Sequence, residues 1–441
     1  MNWPARAEGV MNIRNLRMNR PTHAVIIGAG LSGLACAYHL KKAGIDFTIL
    51  ESSDDVGGRV RSDIVDGFVL DRGFQVLLTA YPDARELLDF DELKLKSFIP
   101  GAMVRYKGEF HTVADPWRRP SDCLKSVFNP IGTLKDKLLI NNLRQNVTSG
   151  SLKSLFERKE QSTLERLRSF GFSNNIIDRF FRPFFGGVFF DRTLSTSSKM
   201  FDFTFRMFAT GDTAIPTGGM GAISNQLARK VGLSKIQFNC RVASVEDNSV
   251  ILEDGAVLQT DAVIVATEGP EAARLLSRPM VASMRSVRCL YFAADKAPMS
   301  EPILVLNGEA SELINNLCVP SNVNESYAPT GKHLISVSVV GRDDLPDSGL
   351  LKAVKDQLQG WYGKEVQNWR HLRTYNIKHG LPDYTAPALT EVEKAARIEK
   401  RIYACGDHRD TSSIQGALSS GRRAAQALIE DFEAAVETVA S

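Results

Sequence analysis

A glycine-rich turn near the start of the chain most constrains its fold. The apolar run Ala24–Ile27 is typical of a parallel strand that is buried on both faces. Gly28, Gly30 and Gly33 follow at the G-x-G-x-x-G spacing, and a helix is predicted over Ser32–Ala43. These glycines allow a tight turn, close approach of the backbone to a pyrophosphate, and close packing of the helix on the sheet. The turn therefore predicts a dinucleotide site with phosphates at the helix N-terminus.

The residues after the second strand indicate which dinucleotide is bound. The strand Phe47–Leu50 ends at Glu51, whose carboxylate can accept hydrogen bonds from a ribose diol and disfavours the 2′-phosphate of NADP. The segment SSDDVGGR follows and ends in Gly58 and Arg59. A glycine pair allows close backbone approach, and an arginine offers planar donors to a pyrophosphate. A nicotinamide dehydrogenase has no need of this segment, so it favours FAD, with a solvated surface turn as the alternative.

A second candidate cofactor motif lies near the end of the chain. The segment RIYACGD reads as a strand that ends in Gly406 and Asp407, and IQGALSSGRRAA reads as the start of a terminal helix. Together the two motifs resemble the flavin amine oxidase superfamily, which includes monoamine and polyamine oxidases, protoporphyrinogen oxidase and carotenoid desaturases. The resemblance implies that Asp407 binds the ribityl hydroxyls of FAD. It also implies that the backbone from Gln415 to Ala417 lies on the flavin or phosphate side.

Further segments match the same family. In the family a segment like GFVLDRGFQV passes beside the isoalloxazine ring, which makes Gln75 a flavin neighbour, and one main-chain group contacts adenine, here at Val242. The segment PTGGMG before a helix also resembles the family, although a glycine-rich helix start without ligand contact explains it equally well. Because residues 375–390 hold no cysteine where covalent attachment would be expected, the predicted cofactor is non-covalent FAD.

The periodicity and the resemblance together predict an α/β fold with two domains. The first is a discontinuous Rossmann-like FAD-binding domain with an extra β-meander, formed by residues 21–80, 211–275 and 395–441. The second is a mixed α+β substrate domain over the flavin face. Its helical part is predicted in residues 81–210 and its antiparallel-sheet part in residues 276–394.

Composition excludes several classes of function. A net charge of +3 over 441 residues is mild, and no basic tract carries interleaved aromatics, so nucleic acid is not an expected partner. The six cysteines are dispersed without zinc spacing, which favours a reducing, cytoplasmic setting and no metal site. The sequence contains no run of eighteen apolar residues, so no transmembrane helix is predicted. Residues 1–20 are interpreted as a flexible extension, with an organelle-targeting segment or a later start codon as alternatives.

The region predicted to cover the flavin is rich in phenylalanine. The segments 179–190 and 200–208 either line a pocket for a large apolar substrate or pack as core. Arg182, beside these aromatics, either pairs with an acid or meets an anionic ligand. The basic stretch Lys125–Arg168 is interpreted as a solvated face, with a weak peripheral membrane contact as the alternative.

The chemistry is expected to come from the flavin, with hydride passing from the substrate to its N5 atom. His379 is the best polar candidate for the pocket, and a structural histidine is the alternative. Amine oxidases often place a lysine, bridged by water to N5, on a strand that resembles SVRCLYF. Here Arg288 stands nearest that position, and arginine does not readily deprotonate.

The substrate interpretation follows from these departures. We expect an FAD-dependent oxidoreductase that removes hydrogen from a fairly large apolar molecule, as a desaturase or protoporphyrinogen oxidase does. The alternatives are an amine oxidase, a redox-neutral flavin-dependent isomerase, and a binding protein that retains the fold without flavin. The electron acceptor, whether O2, a quinone or another molecule, stays unassigned.

Overall fold

The computed structural model describes residues 23–114, 129–281, 283–309, 312–341 and 345–440. The predictions for residues 1–20, and for the part of the basic stretch between 125 and 128, lie outside this range.

A six-stranded sheet forms the centre of the half of the molecule that the sequence predicts to bind FAD. Its strands, in order across the sheet, are Ile236–Gln237, Phe47–Leu50, Ala24–Ile27, Ala262–Val265, Ile402–Ala404 and Arg397–Glu399. The first five pair in parallel, and the last pairs antiparallel at the edge. The run Ala24–Ile27 is fully buried, as its uninterrupted apolar sequence predicts. The helix Leu31–Lys42 begins one residue before its predicted start.

A small meander flanks this sheet. Its three antiparallel strands are Val242–Glu246, Ser249–Leu252 and Val257–Gln259. The turn residues between them are Asp247 with Asn248, and Asp254 with Gly255, as the sequence predicts. The α/β class with a Rossmann-like unit and an extra meander is confirmed.

A seven-stranded sheet builds most of the second half. Its strands, in order, are Arg370–Pro382, Met284–Ala294, His333–Val340, Asn316–Cys318, Leu304–Asn307, Gly101–Tyr106 and Glu109–Ala114. The last two strands lie inside the stretch predicted to be helical, and for them that prediction was wrong. Lys107 and Gly108 both have positive φ, of 51° and 81°, as a two-residue hairpin turn requires. The hairpin then pairs in parallel with Leu304–Asn307.

Two small sheets and the helices complete the described chain. The small sheets are Ser62–Val65 with Phe68–Asp71, and Leu77–Leu78 with Thr213–Ile215 and Lys96–Ser97. The α-helices after the first are Pro82–Leu87, Phe90–Leu93, Leu134–Thr148, Leu152–Phe156, Thr163–Phe170, Asn174–Ile176, Arg182–Phe189, Ser198–Thr210, Gly221–Val231, Gly269–Leu275, Pro320–Val323, Asp347–Tyr362 and Ile414–Ala440. A π-helical turn, Ile177–Phe181, precedes Arg182–Phe189. The aromatic helices among these lie beside the cavities described next.

Candidate functional site

A cavity of about 610 Å³ lies at the carboxyl ends of the central strands, where open α/β sheets bind their ligands. Its walls combine residues from both ends of the chain. Of the predicted cofactor residues, those that line it are Gly28, Gly30, Ser32, Glu51, Gly58, Arg59, Gln75, Val242, Gly406, Asp407 and Ala417. The fold therefore brings the two distant sequence motifs to one cavity.

The three fingerprint glycines have three different surroundings. Gly28 has a φ of +105°, and a Cβ there would lie 2.9 Å from the Ala266 carbonyl oxygen. A Cβ on Gly33, which does not line the cavity, would lie 2.0 Å from the Gly28 carbonyl oxygen, so the helix packs directly on the turn. At Gly30 a Cβ would meet nothing within 4 Å. No side chain caps this helix N-terminus, so its amide groups are available to an anion in the cavity.

Glu51 lies buried beside this turn. One carboxylate oxygen accepts a hydrogen bond from the Ala29 amide at 2.7 Å. The other accepts from the amide and hydroxyl of Ser53 at 2.9 and 2.8 Å. The carboxylate therefore joins the first turn to the segment that leads to Arg59, and it lines the cavity at the predicted ribose position.

Arg59 and Asp407 meet inside the cavity. The guanidinium donates to both carboxylate oxygens, at 2.8 and 2.6 Å, and also to the Gly380 carbonyl at 2.7 Å. Burial lowers the pKa of Arg59, but the facing Asp407 carboxylate more than offsets this, so the pKa is raised. The arginine thus stays charged beside the space expected for a pyrophosphate and a ribityl chain.

The remaining cofactor candidates divide between backbone and side-chain roles. Gln75 donates to the Arg59 and Arg72 carbonyls at 2.8 and 3.0 Å and thereby fixes the loop that carries it. The Val242 carbonyl accepts a hydrogen bond from Arg274 at 2.8 Å. The Gln415 side chain turns away from the cavity toward Asp83, with which it exchanges hydrogen bonds, while Ala417 lines the cavity.

Asp71 is a buried acid four residues before Gln75. The carboxylate of Asp71 accepts from the Ser62 hydroxyl, the Met220 amide and the Tyr327 hydroxyl. Burial raises the pKa of Asp71 to about 6, although these hydrogen bonds oppose the shift. Burial and the neighbouring Asp71 raise the pKa of Tyr327, so its hydroxyl remains a donor.

A second, apolar cavity of about 260 Å³ adjoins the first. The residues that line both cavities are Phe74, Val76, Phe184, Val188, Phe208 and Leu304. Much of the second cavity is walled by phenylalanines of the aromatic segments, whereas Phe201 and Phe203 of the same segments are buried in the core. Some phenylalanines of the aromatic segments therefore line a cavity, whereas others pack as core.

The three pocket candidates do not lie in either cavity. His379 is 46% exposed and pairs with Glu268, and Arg182 pairs with Asp178. Arg288 is buried on the opposite face of its strand, where it contacts Asp347 at the start of the helix Asp347–Tyr362.

Val287, the neighbour of Arg288, occupies the position at the cavity that was predicted for the arginine. Because side chains alternate along a strand, Val287 takes the cavity side and lines the cofactor cavity. No lysine is found among the described residues that line the cofactor cavity.

Sequence reasoning missed two residues of the second cavity, Lys137 and Arg144. They lie on the helix Leu134–Thr148, and Ile140 stands between them on the same helix face. The signal was present as the spacing of positions 137, 140 and 144 along a predicted helix. It became informative only once the helix was placed beside the cavity.

The comparison with protein families identifies the chain. The model of the flavin containing amine oxidoreductases matches residues 31–429. The chain belongs to this family. As a flavin-containing amine oxidoreductase it is an FAD-dependent oxidoreductase, and the resemblance drawn from its two motifs is confirmed.

Two of the relatives found carry the names of porphyrinogen oxidases. "Protoporphyrinogen oxidase 2, chloroplastic/mitochondrial" from Arabidopsis thaliana is 26% identical over 37% of this chain and 32% of its own length. The match thus spans about a third of that plant relative. "Coproporphyrinogen III oxidase" from Propionibacterium freudenreichii is 22% identical over 90% of this chain and 87% of its own.

A solved structure shares the fold over nearly the whole chain. The putative protoporphyrinogen oxidase from Exiguobacterium sp. 255-15 superposes with a TM-score of 0.69 at 17% identity. It covers 93% of this chain and 99% of its own. At that identity the likeness supports the α/β flavoprotein fold alone.

The residues of the cofactor cavity fit FAD. The open space at Gly30 and the uncapped helix N-terminus suit a pyrophosphate, and Glu51 suits a ribose. Of the cysteines that the structure describes, Cys240 alone lines the cavity, and its amide bonds to the Glu51 carbonyl at the ribose end. That position suits a flavin held without a covalent bond to cysteine.

Within the described ranges, no helix is long and apolar enough to cross a membrane. The same residues contain no group of three or more histidine, cysteine or acidic side chains placed to hold a metal ion.

Proposed function

We propose that this flavin-containing amine oxidoreductase removes hydrogen from a fairly large apolar substrate, in the manner of a protoporphyrinogen oxidase or a desaturase. The observation that carries the proposal is the apolar cavity that opens off the cofactor cavity. The residues that line both cavities are all aliphatic or aromatic. A substrate that extends from one cavity into the other therefore needs an apolar body where it passes them.

The cofactor residues have separate roles in this proposal. The amide groups near Gly30 hold the pyrophosphate, and Glu51 binds the adenosine ribose. Asp407 holds the ribityl chain and orients Arg59. Bound FAD supplies the acceptor for the hydrogen that leaves the substrate. The protein positions the substrate and keeps water away through Phe74, Phe184 and Phe208.

The charge of the second cavity favours an apolar substrate over an amine. A protonated amine is stabilised by a nearby carboxylate, but the described residues that line this cavity include no acid. Its two charged residues are cations. The family's amine oxidases often use a lysine near the flavin, and the described residues that line the cofactor cavity include none.

Anaerobic bleaching of the flavin tests the proposal. The purified yellow enzyme is mixed without oxygen with a porphyrinogen, a partly saturated polyene or an amine, and absorbance near 450 nm is followed. We expect bleaching by a porphyrinogen or a polyene and none by the amine. Bleaching by the amine alone would overturn the proposal. Turnover of pre-reduced enzyme without net electron transfer would identify a redox-neutral isomerase instead.

The electron acceptor is measured in the same system. Enzyme bleached by its substrate is mixed with air-saturated buffer or with a soluble quinone, and the return of the flavin absorbance is timed. A rapid return with O2 identifies an oxidase, whereas a return only with the quinone identifies a quinone-dependent dehydrogenase.

A further inference from the structure

The turn that carries Asp407 is short, and residues outside it hold its backbone. It is a single turn of 3-10 helix over Asp407–Arg409, in which the Asp407 carbonyl accepts a long hydrogen bond of 3.4 Å from the Asp410 amide. The Tyr384 hydroxyl lies 3.0 Å from the Asp407 carbonyl oxygen and 2.7 Å from the Asp410 carbonyl oxygen. One tyrosine therefore donates its proton between the first and the last carbonyl of this segment.

The two carbonyls between them are held as well. The ammonium group of Lys394 donates to the His408 carbonyl at 3.2 Å. The Lys394 amide and the Arg423 guanidinium donate to the Arg409 carbonyl at 3.0 and 2.9 Å. Every carbonyl from position 407 to position 410 thus accepts a hydrogen bond from a residue outside the turn. Because its backbone groups are all partnered, the turn holds the Asp407 side chain in one place.

Tyr384 is itself fixed by the seven-stranded sheet. It follows the strand Arg370–Pro382 and is 3% exposed, and its carbonyl accepts a hydrogen bond from the Ser197 amide at 2.8 Å. Burial raises the pKa of Tyr384, and the charges of Asp407 and Asp410 raise it further. The hydroxyl therefore remains a donor, and it links this sheet to the turn that carries Asp407.

The same stretch of chain holds the other partner of the ion pair. Arg59 donates to the Gly380 carbonyl at 2.7 Å as well as to the Asp407 carboxylate. Gly380 and Leu381 also line the cofactor cavity. The guanidinium and the carboxylate are thus both positioned from one segment, the first through the Gly380 carbonyl and the second through the Tyr384 hydroxyl.

We propose that Tyr384 is a positioning residue of the cofactor site, whose hydroxyl holds the turn so that the Asp407 carboxylate meets Arg59 and the ribityl chain of FAD. The inference rests on the role proposed for Asp407, and it holds for any substrate. Without the hydroxyl, two buried carbonyls lose a donor, and the turn shifts to find other partners. The expected consequence is weaker binding of FAD in a protein that still folds.

Calorimetric titration of the FAD-free protein with FAD tests the inference. We expect Tyr384→Phe, which keeps the ring, to raise the Kd for FAD about tenfold. Tyr403→Phe is the matched control. The Tyr403 ring is also buried, but its hydroxyl donates at 2.7 Å to Asp431 in the terminal helix rather than to the turn. The control should leave the Kd unchanged, and an unchanged Kd in Tyr384→Phe would overturn the inference.

A double-mutant cycle separates positioning from a general effect on folding. Asp407→Asn removes the carboxylate through which Tyr384 acts, so adding Tyr384→Phe to it should raise the Kd by less than about twofold further. An undiminished further loss in the double variant would show that Tyr384 does not act through Asp407, and would overturn the positioning role. Lys394→Met is a second variant, which removes the side-chain hydrogen bond to the His408 carbonyl. It should also raise the Kd only while the Asp407 carboxylate is present.

The roles of Asp407 and Tyr384 fail separately. Unchanged FAD affinity in Asp407→Asn would reject the role proposed for the carboxylate. A loss of affinity in Asp407→Asn with none in Tyr384→Phe would retain the carboxylate in the site and reject only the role of the tyrosine. Both titrations are made without substrate, so neither result depends on which compound bleaches the flavin.

Discussion

The guanidinium of Arg59 and the carboxylate of Asp407 form a two-point ion pair between residues 348 positions apart, with distances of 2.8 and 2.6 Å. Asp407 is almost fully buried, whereas Arg59 retains 32% side-chain exposure on the cavity side. The pair joins the two cofactor motifs and orients a fixed cation toward the space for the pyrophosphate.

Loss of either partner should therefore weaken FAD binding. We expect Asp407→Asn and Arg59→Met each to raise the Kd for FAD about tenfold or more, since a charge-assisted hydrogen bond contributes about 1.5–3 kcal/mol. The ratio of flavin to protein absorbance after purification measures retention. Arg370→Met is the control, because its ion pair with Asp66 is exposed on both sides. Unchanged flavin content in both variants would remove the two residues from the site.

Glu51 should respond to a change as small as carboxylate to amide. Its oxygens accept three hydrogen bonds, from the Ala29 amide and from Ser53. Glu51→Gln replaces one acceptor oxygen with a donor, which then faces a donor of the protein. We expect FAD affinity to fall by about tenfold and the melting temperature to drop, as measured by flavin fluorescence on heating. The exposed Glu109→Gln should change neither quantity.

Alanine substitutions at Gly30 and at Gly33 should have different effects, the first on cofactor binding and the second on stability. Gly30 has φ −71° and ψ 176°, which alanine adopts readily, and its Cβ would enter open space in the cavity. Gly30→Ala should therefore fold normally and bind FAD weakly. In Gly33→Ala the new methyl would meet the Gly28 carbonyl at 2.0 Å, which should cost on the order of 3 kcal/mol in stability. Thermal unfolding of the FAD-free proteins distinguishes the two effects, and equal melting temperatures would contradict this assignment.

Asp71 should make stability depend on pH between about 4 and 6. Its pKa is about 6 in the folded protein and about 3.9 in an unfolded chain, so the native state binds more protons in this window. The stabilisation from this shift is present below pH 4 and is lost as the pH rises through 6. Relative to Asp71→Asn, the unaltered protein should lose on the order of 1–3 kcal/mol between pH 4 and pH 7.

Thermal unfolding of both proteins at several pH values measures this difference. The exposed Asp66→Asn serves as the control, and its profile should run parallel to that of the unaltered protein. A parallel profile for Asp71→Asn would show that Asp71 titrates normally.

Sequence patterns predicted the cofactor half well because its signals are local. The bounds of Ala24–Ile27 and Phe47–Leu50 follow from apolar runs that end at a glycine or an acid, and each strand is bounded within its own stretch of chain. The hairpin at Lys107 and Gly108 also carried a local signal, a two-residue turn between alternating strands, which the assignment of a long helical region overlooked.

The substrate half was harder to predict because its decisive facts concern orientation. Arg288 and Val287 are neighbours in sequence, yet only the pairing of their strand determines which of them faces the flavin cavity. A shift of one residue in the register of the pairing moves every side chain of the strand to the other face of the sheet. Lys137 and Arg144 read as part of a basic helix until that helix is placed against the second cavity.

The sequence by itself determined the nucleotide fold, the family and the residues available to hold FAD, because turn geometry and strand burial act over a few neighbouring residues. Only the tertiary structure decided that Arg59 pairs with Asp407, that Arg288 lies on the far face of its strand, and that two cations line the second cavity. These relationships join residues that are distant in sequence, and their geometry is fixed by the packing of whole sheets and helices.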